Sequence, residues 1–141
     1  MKDDDIKRLR SLYPRLWRHD LTRLPDGWTA IIEKLMAALN EIQTPIKGQY
    51  GSPLFVLIQS SGGFAVAFAS PNPELGNWTP EKSHAVIEAL RQFNAATSES
   101  CEICGSPSVI VAQERDGGPQ HRLCQRHNEE QLAKYEGRVL Q

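Results

Sequence analysis

Three cysteines and one histidine in the C-terminal part of the chain constrain its fold more than any other feature. Cys101 and Cys104 form a Cys-x2-Cys pair, and after a gap of nineteen residues Cys124 and His127 form a Cys-x2-His pair. This spacing is typical of a four-ligand zinc site, and it uses all three cysteines of the protein. Because four protein ligands leave no coordination position for water, we predict one Zn²⁺ ion with a structural role.

The fourth ligand has one alternative. His121 precedes His127 by six residues and would also bring an imidazole close to Cys124. We favour His127, because an i, i+3 spacing puts Cys124 and His127 on one face of a helix's first turn. His121 falls instead within a predicted strand.

The residues around the four ligands predict a small ββα unit. The Cys-x2-Cys-Gly sequence has the form of a zinc knuckle, in which Gly105 can adopt a positive φ. Residues 108–113 and 120–123 read as two strands joined by an Asp-Gly-Gly turn at 116–118, and a helix follows. Knuckle, hairpin and helix in this order resemble a treble-clef zinc finger over about residues 99–136. A segment this short has too little core to fold alone, and zinc binding would supply the missing stability.

The residues before this unit predict helices and a hairpin. Apolar residues recur at i, i+3/i+4 and i+7 over residues 28–42, which indicates an amphipathic helix. Residues 54–59 and 64–69 are two β-prone runs separated by Ser-Ser-Gly-Gly, as in a β-hairpin. Both runs are apolar at nearly every position, so we expect strands that are covered on both faces or packed against a partner.

A further helix is predicted after the hairpin, and it completes the fold class. Thr79-Pro80-Glu81 combines an N-cap hydroxyl, a proline at the first helical position and an acid in the first turn. The fold class is α+β, with helices around a short antiparallel β-hairpin and a C-terminal treble-clef-like zinc module. We divide the chain into an α+β domain at 1–98 and a zinc-binding module at 99–141. The buried stripe of the helix is predicted to comprise Val86, Ile87, Leu90 and Phe93.

Charge disfavours nucleic acid as the partner. The net charge is −1, and only residues 1–25 are basic, with seven Lys/Arg against four Asp. Residues 26–100 carry four basic and seven acidic groups, and residues 101–141 carry five and six. Nucleic-acid-binding domains usually have a clear basic stripe, because phosphate neutralisation supplies much of their affinity. A nucleic-acid-binding zinc-finger regulator that uses the N-terminal arginines is the alternative function.

Two enzyme classes with similar metal modules do not fit. Zinc deaminases have a proline before the Cys-x2-Cys pair, and here that position is Ser100. HNH-type nucleases need an Asp-His or His-His pair on the first hairpin strand, which residues 109–113 lack. We therefore predict that the protein is not an enzyme.

We expect a cytoplasmic protein. The N-terminus lacks the basic and apolar regions of a secretory signal, and apolar runs such as residues 54–58 are far shorter than the ~20 residues that span a bilayer. Thiolates that bind a metal also require a reducing compartment.

The order of motifs resembles a group of small, mostly uncharacterised bacterial proteins. The matching residues are Tyr13-Pro14-Arg15-Leu16-Trp17, Gly27-Trp28 with the following helix, and the module from Cys101 to His127. The hairpin departs from that group, because its strands are far more apolar. Proteins of this type often occur as genome-island or phage-associated cargo, including immunity partners of toxins. Together with the near-neutral charge, the lack of a recognisable catalytic set, the structural ion and the apolar strands, this leads us to expect a non-catalytic protein-interaction protein whose partner is a toxin or another copy of the chain.

Overall fold

The structure, a computed structural model, consists of α-helices and two small sheets. The described residues are 1–43, 54–61, 63–72, 78–107, 110–113 and 120–139. Within these ranges there are four α-helices and two antiparallel two-stranded sheets. The predicted α+β class is therefore confirmed. The predicted turn at 116–118 lies outside the described residues.

The helices begin where the local chemistry favours a helix start. Thr79 caps α3, since its hydroxyl accepts a hydrogen bond of 3.2 Å from the backbone N–H of Lys82, and Pro80 follows at the first position. Lys2 is the N-cap of α1, and three aspartates complement the helix dipole in its first turn. The bounds are α1 Asp3–Leu12, α2 Thr29–Ile42, α3 Pro80–Ser98 and α4 Gln125–Val139, with 3-10 turns at His19–Arg23 and Asp26–Trp28.

The strands form two hairpins. In the first, β1 (Leu54–Ser61) pairs with β2 (Phe64–Pro71), as predicted. In the second, β3 (Ile110–Gln113) pairs with β4 (Gln120–Leu123). Gly63, next to the first turn, has a φ of +86°, a conformation that side chains with a β-carbon disfavour.

One main hydrophobic core lies between α2, α3 and the inner face of the first hairpin. Trp28 and Ile32 are fully buried there, and α3 contributes Val86 and Phe93. Ile87 is 56% exposed, so its predicted place in the buried stripe is wrong. The reason is helical geometry, because a residue adjacent to Val86 lies about 100° further around the helix.

The first hairpin has one buried face and one exposed face. Alternate residues, including Val56 and Ala67, are buried in the core, while Phe55 and Phe68 on the other face are 61% and 56% exposed. The expectation that both faces are covered is therefore wrong within the described part of this chain. The second option, a partner on the open face, stays a prediction.

The outer edge of β2 is closed by α3. The backbone N–H of Ala65 donates to the hydroxyl of Thr97 over 3.2 Å, and the N–H of Ala67 donates to the side-chain oxygen of Asn94 over 3.3 Å. These side chains satisfy edge amides that would otherwise be available to another strand. None of the helices in the described ranges combines the length and the apolar content needed to cross a bilayer.

Candidate metal centre

The first two candidate ligands lie on a compact knuckle. The N–H of Cys101 donates to the carbonyl of Ser106 over 2.9 Å, and the N–H of Gly105 donates back to the carbonyl of Cys101 over 2.8 Å. Gly105 has the positive φ, +77°, that the sequence predicted. The N–H of Glu102 donates to the carbonyl of Arg122 over 2.9 Å, which attaches the knuckle to β4.

The second pair lies at the start of α4. The carbonyl of Cys124 accepts the first helical hydrogen bond, from Asn128, over 2.9 Å. His127 therefore lies one turn after Cys124 and on the same side of the helix.

The structure brings Cys101, Cys104, Cys124 and His127 together, with all ligand atoms within 4.8 Å of one another. The Sγ atoms of Cys104 and Cys124 are 3.8 Å apart, and the Nδ1 atom of His127 lies 3.1 Å from Sγ of Cys124 and 3.5 Å from Sγ of Cys101. A tetrahedral zinc ion with its usual bond lengths separates its ligand atoms by about 3.5–3.8 Å. These four side chains could therefore hold one metal ion.

Ionisation of the thiols also points to a cation. Burial opposes ionisation of Cys101, but backbone N–H groups of Cys124, Cys104 and Ile103 and the His127 side chain outweigh it and lower the pKa of Cys101 to about 6. At Cys104, donation from the Ser106 backbone is outweighed by burial and by the two neighbouring thiols, so its pKa is raised. Cys101 and Cys104 thus do not both ionise readily by themselves, and a bound divalent cation would remove this conflict.

His121 lies outside this cluster. Its Nδ1 atom is 2.9 Å from the carboxylate of Glu102, whose side chain is only 12% exposed. This contact joins β4 to the knuckle. The contact between Glu102 and His121 could not be predicted, because a carboxylate between two cysteines is equally compatible with an exposed position.

Gly27 packs directly against the knuckle, a contact that sequence reasoning missed. Its N–H donates to the carbonyl of Glu102 over 2.8 Å. A β-carbon at this position would lie 2.2 Å from the carbonyl oxygen of Cys101 and 2.6 Å from that of Glu102. Only glycine allows such a close approach between the two backbones. Its position in a Pro-Asp-Gly turn signalled the turn but not the neighbour.

Arg122 links the candidate centre to the first hairpin. Its guanidinium donates to the carbonyl of Ser98, at the end of α3, over 2.9 Å, and lies 5.8 Å from the ring centroid of Phe64. Gly63 approaches the backbone N of Arg122 so closely that a β-carbon would lie 2.9 Å from it. The division of the chain at 98/99 stays a prediction, and these contacts cross it.

One motif near the centre was missed in the sequence. His127-Asn128-Glu129 has the His-x-Glu spacing of zinc deaminases, in which the glutamate transfers protons. Here Glu129 is exposed, and its carboxylate accepts a hydrogen bond of 3.1 Å from the side chain of Gln125 along α4. The carboxylate is not part of the ligand cluster found among the described residues.

Comparison with protein-family models, curated proteins and solved structures found no match to this chain.

Proposed function

We propose that this chain is a non-catalytic protein that binds another protein and is stabilised by one structural Zn²⁺ ion. The observation that carries the proposal is the exposed, largely apolar face of the first hairpin, here called the outer hairpin face. Contiguous exposed apolar surface on a folded domain often marks an interaction site. The apolar residues of this face are Phe55, Leu57, Phe64, Val66 and Phe68, and the polar residues Gln59 and Ser70 lie beside them.

The donor set supports zinc. Three thiolates and one imidazole are a ligand combination that Zn²⁺ takes in structural sites. Because four side chains fill the tetrahedral shell, no position is left to activate water, which supports a non-catalytic role. Cys101 is fully buried, so the ion would be shielded on that side.

The most concrete form of the proposal is an inhibitor or immunity protein that blocks a toxin. The order of motifs along the chain supports it through the resemblance described above, and so does the near-neutral net charge of −1. A protein that binds a toxin needs a rigid surface rather than a catalytic pocket. In this chain the metal would hold the second hairpin and Arg122 in place beside the outer hairpin face.

The test has two parts. Elemental analysis of protein purified under reducing conditions should give one zinc per chain, and Cys104→Ser should lower that ratio. The tagged chain, expressed in its native host, should co-purify with one protein, and the two purified components should re-form a stoichiometric complex. Recovery of the chain only as a free monomer would contradict protein binding. Retention of DNA or RNA with steep salt dependence would instead support the nucleic-acid alternative.

A further inference from the structure

We propose that the outer hairpin face, together with the arginines at its two ends, is the docking surface for an acidic segment of a partner protein that also carries apolar side chains. The inference rests on the proposed function, protein binding, and adds the location and the chemistry of the partner.

The centre of this surface is apolar because the strand pairing places apolar residues of β1 and β2 side by side. Residues that are opposite each other on β1 and β2 point to the same side, and Leu57 lies opposite Phe68 on the exposed side. Phe55, Phe68 and Phe64 are 61%, 56% and 36% exposed. Aromatic side chains of this kind contribute a large part of the binding energy at protein interfaces.

The ends of the surface are positively charged. The guanidinium of Arg18 lies 5.7 Å from the ring centroid of Phe55, and that of Arg122 lies 5.8 Å from the ring of Phe64. Two open hollows run along β1, and the charged residues lining them are Arg15, Arg18, Asp20 and Arg23. Asp20 lies 3.6 Å from Arg18 and offsets only part of this charge.

Charge complementarity therefore favours carboxylates on the partner. A planar guanidinium that is already held over an aromatic ring loses less side-chain entropy when it pairs with a carboxylate. Arg18 and Arg122 are both held in this way, at opposite ends of the face. A segment with acids at its ends and apolar residues between them would match both features.

A second copy of the chain fits this surface less well. Face-to-face pairing would bring the arginines of two copies together, which repel one another. Two eight-residue strands offer a face of about 26 Å by 10 Å, so about 260 Å² per partner, which suits one short segment but is well below the about 800 Å² per partner of a stable dimer. A self-associated hairpin would therefore be both repulsive and small.

Single-stranded nucleic acid also fits less well. Such ligands stack their bases on free aromatic ring faces. Here arginines lie over two of the three phenylalanine rings, and the strands between them present Leu57 and Val66, which cannot stack with bases.

The partner would approach from the β1 side. The amides of Ala65 and Ala67 point to α3, so their cross-strand neighbours Ser60 and Ile58 direct their backbone groups away from β2. Ile58 and Ser60 also line one of the hollows that Arg23 borders. An extended acidic segment could hydrogen-bond there while its side chains reach the outer hairpin face.

The test uses the full-length, metal-loaded chain and a phage-displayed library of random peptides. Selected peptides are synthesised, and their Kd values are measured by fluorescence anisotropy. We expect sequences that combine Asp or Glu with Leu, Phe or Trp. Phe68→Thr and Arg18→Gln should each weaken binding at least tenfold. The matched controls on α3, Ile87→Gln and Arg91→Gln, should leave the Kd unchanged, since Ile87 is as exposed as Phe68 at 56% and Arg91 is also exposed.

Several results would overturn the inference. The inference fails if no peptide is selected, if the selected peptides lack acidic residues, or if they still bind the Phe68→Thr variant. It also fails if oligo(dT) displaces the peptides, or if sedimentation shows a dimer of the chain that Phe68→Thr abolishes. Thermal unfolding of each variant checks its fold, and Phe55→Thr replaces Phe68→Thr if the latter unfolds. If a purified protein partner bound Phe68→Thr as tightly as the wild type, the outer hairpin face would be excluded as the docking surface, and the proposed function would remain. Failure to find any protein partner would remove the proposed function itself.

Discussion

The backbone N–H of Gly27 donates a hydrogen bond of 2.8 Å to the carbonyl oxygen of Glu102, between the two cysteines of the knuckle. The next residue, Trp28, is fully buried in the main core. The knuckle is therefore attached to the turn that positions the largest side chain of the core. We therefore expect this contact to couple the candidate metal centre to the stability of the N-terminal part of the chain.

Gly27→Ala should destabilise the protein because it forces these two backbones apart. The added β-carbon would lie 2.2 Å from the carbonyl oxygen of Cys101, and backbone atoms cannot move aside as a flexible side chain can. We expect a loss of about 1–3 kcal/mol in the free energy of unfolding, the usual cost of overpacking. Denaturant unfolding of the zinc-loaded protein measures it.

The control for Gly27→Ala is Asp26→Asn, which changes the preceding residue without adding atoms beside the knuckle. Asp26 is exposed and forms an ion pair of 3.1 Å with the N-terminal ammonium, so its loss should cost less than about 1 kcal/mol. Equal stability of Gly27→Ala and wild type would show that the knuckle does not press against Gly27 in solution.

Removal of the metal should destabilise more than the C-terminal module. A chelator would remove the ion that holds the knuckle together and would weaken the contacts that Gly27 makes with Glu102 and that Ser98 makes with Arg122. We expect a lower melting temperature and faster hydrogen exchange of α2 amides, which lie directly after Gly27. Cys104→Ser should show little further response to the chelator. Melting of the N-terminal part that the chelator leaves unchanged would instead support two independent units, with their boundary at 98/99.

The main helices and strands could be predicted from local sequence signals, whereas the contacts between residues far apart in the sequence could not be predicted. Thr79 and Pro80 defined the start of α3, and the Cys/His spacing defined the candidate ligands, because in each case the information lies within a few residues. Cys104 lies in the knuckle and Cys124 lies directly before α4, but the fixed geometry of metal sites relates the spacing of such ligands to their meeting point.

The exposed face of the first hairpin could not be predicted for a physical reason. Alternation between apolar and polar residues normally identifies the buried face of a strand. Here both sets of alternating positions are apolar, with Val56 and Ile58 on one face and Phe55 and Leu57 on the other. Only the packing of α3 against β2 determines which set is buried.

Stability of the metal-free chain should depend on pH through Cys101. Its pKa is lowered from 9.0 to about 6, because hydrogen-bond donors outweigh the effect of burial. A lowered pKa contributes stability that is complete above the unfolded value near 9 and is lost as the pH falls through about 6. Denaturant unfolding of the reduced, chelator-treated protein should therefore show rising stability from pH 6 to pH 9. Cys101→Ser should flatten this rise, and a slope that survives the substitution would assign it to another group.

The choice of the fourth ligand can be tested with paired histidine variants. His127→Ala should weaken zinc binding by about 100-fold or more, because it opens the tetrahedral shell. His121→Ala should retain one zinc per chain, since Nδ1 of His121 contacts Glu102 rather than the thiols. Competition with a chromophoric chelator measures both affinities. If His121→Ala lost its zinc and His127→Ala kept it, the ligand assignment would be reversed.

Thr97→Val should show how much the closed edge of β2 contributes to stability. The Thr97 side chain is fully buried, and its hydroxyl accepts from the N–H of Ala65 and donates to the carbonyl of Asn94 over 3.1 Å. Valine has nearly the same shape, so the change leaves a buried N–H without an acceptor, at a cost of about 1–3 kcal/mol.

The control for Thr97→Val is the neighbouring Ser98→Ala. Ser98 is only partly buried, and its hydroxyl donates an exposed hydrogen bond of 2.8 Å to the carbonyl of Ala95, the same type of contact three residues back along the helix. Water can replace that hydrogen bond, so Ser98→Ala should change the free energy of unfolding by less than about 0.5 kcal/mol. Equal effects of the two substitutions would mean that the Thr97 hydroxyl acts only within α3. The backbone N–H of Ala65 at the edge of β2 would then have to find another hydrogen-bond acceptor.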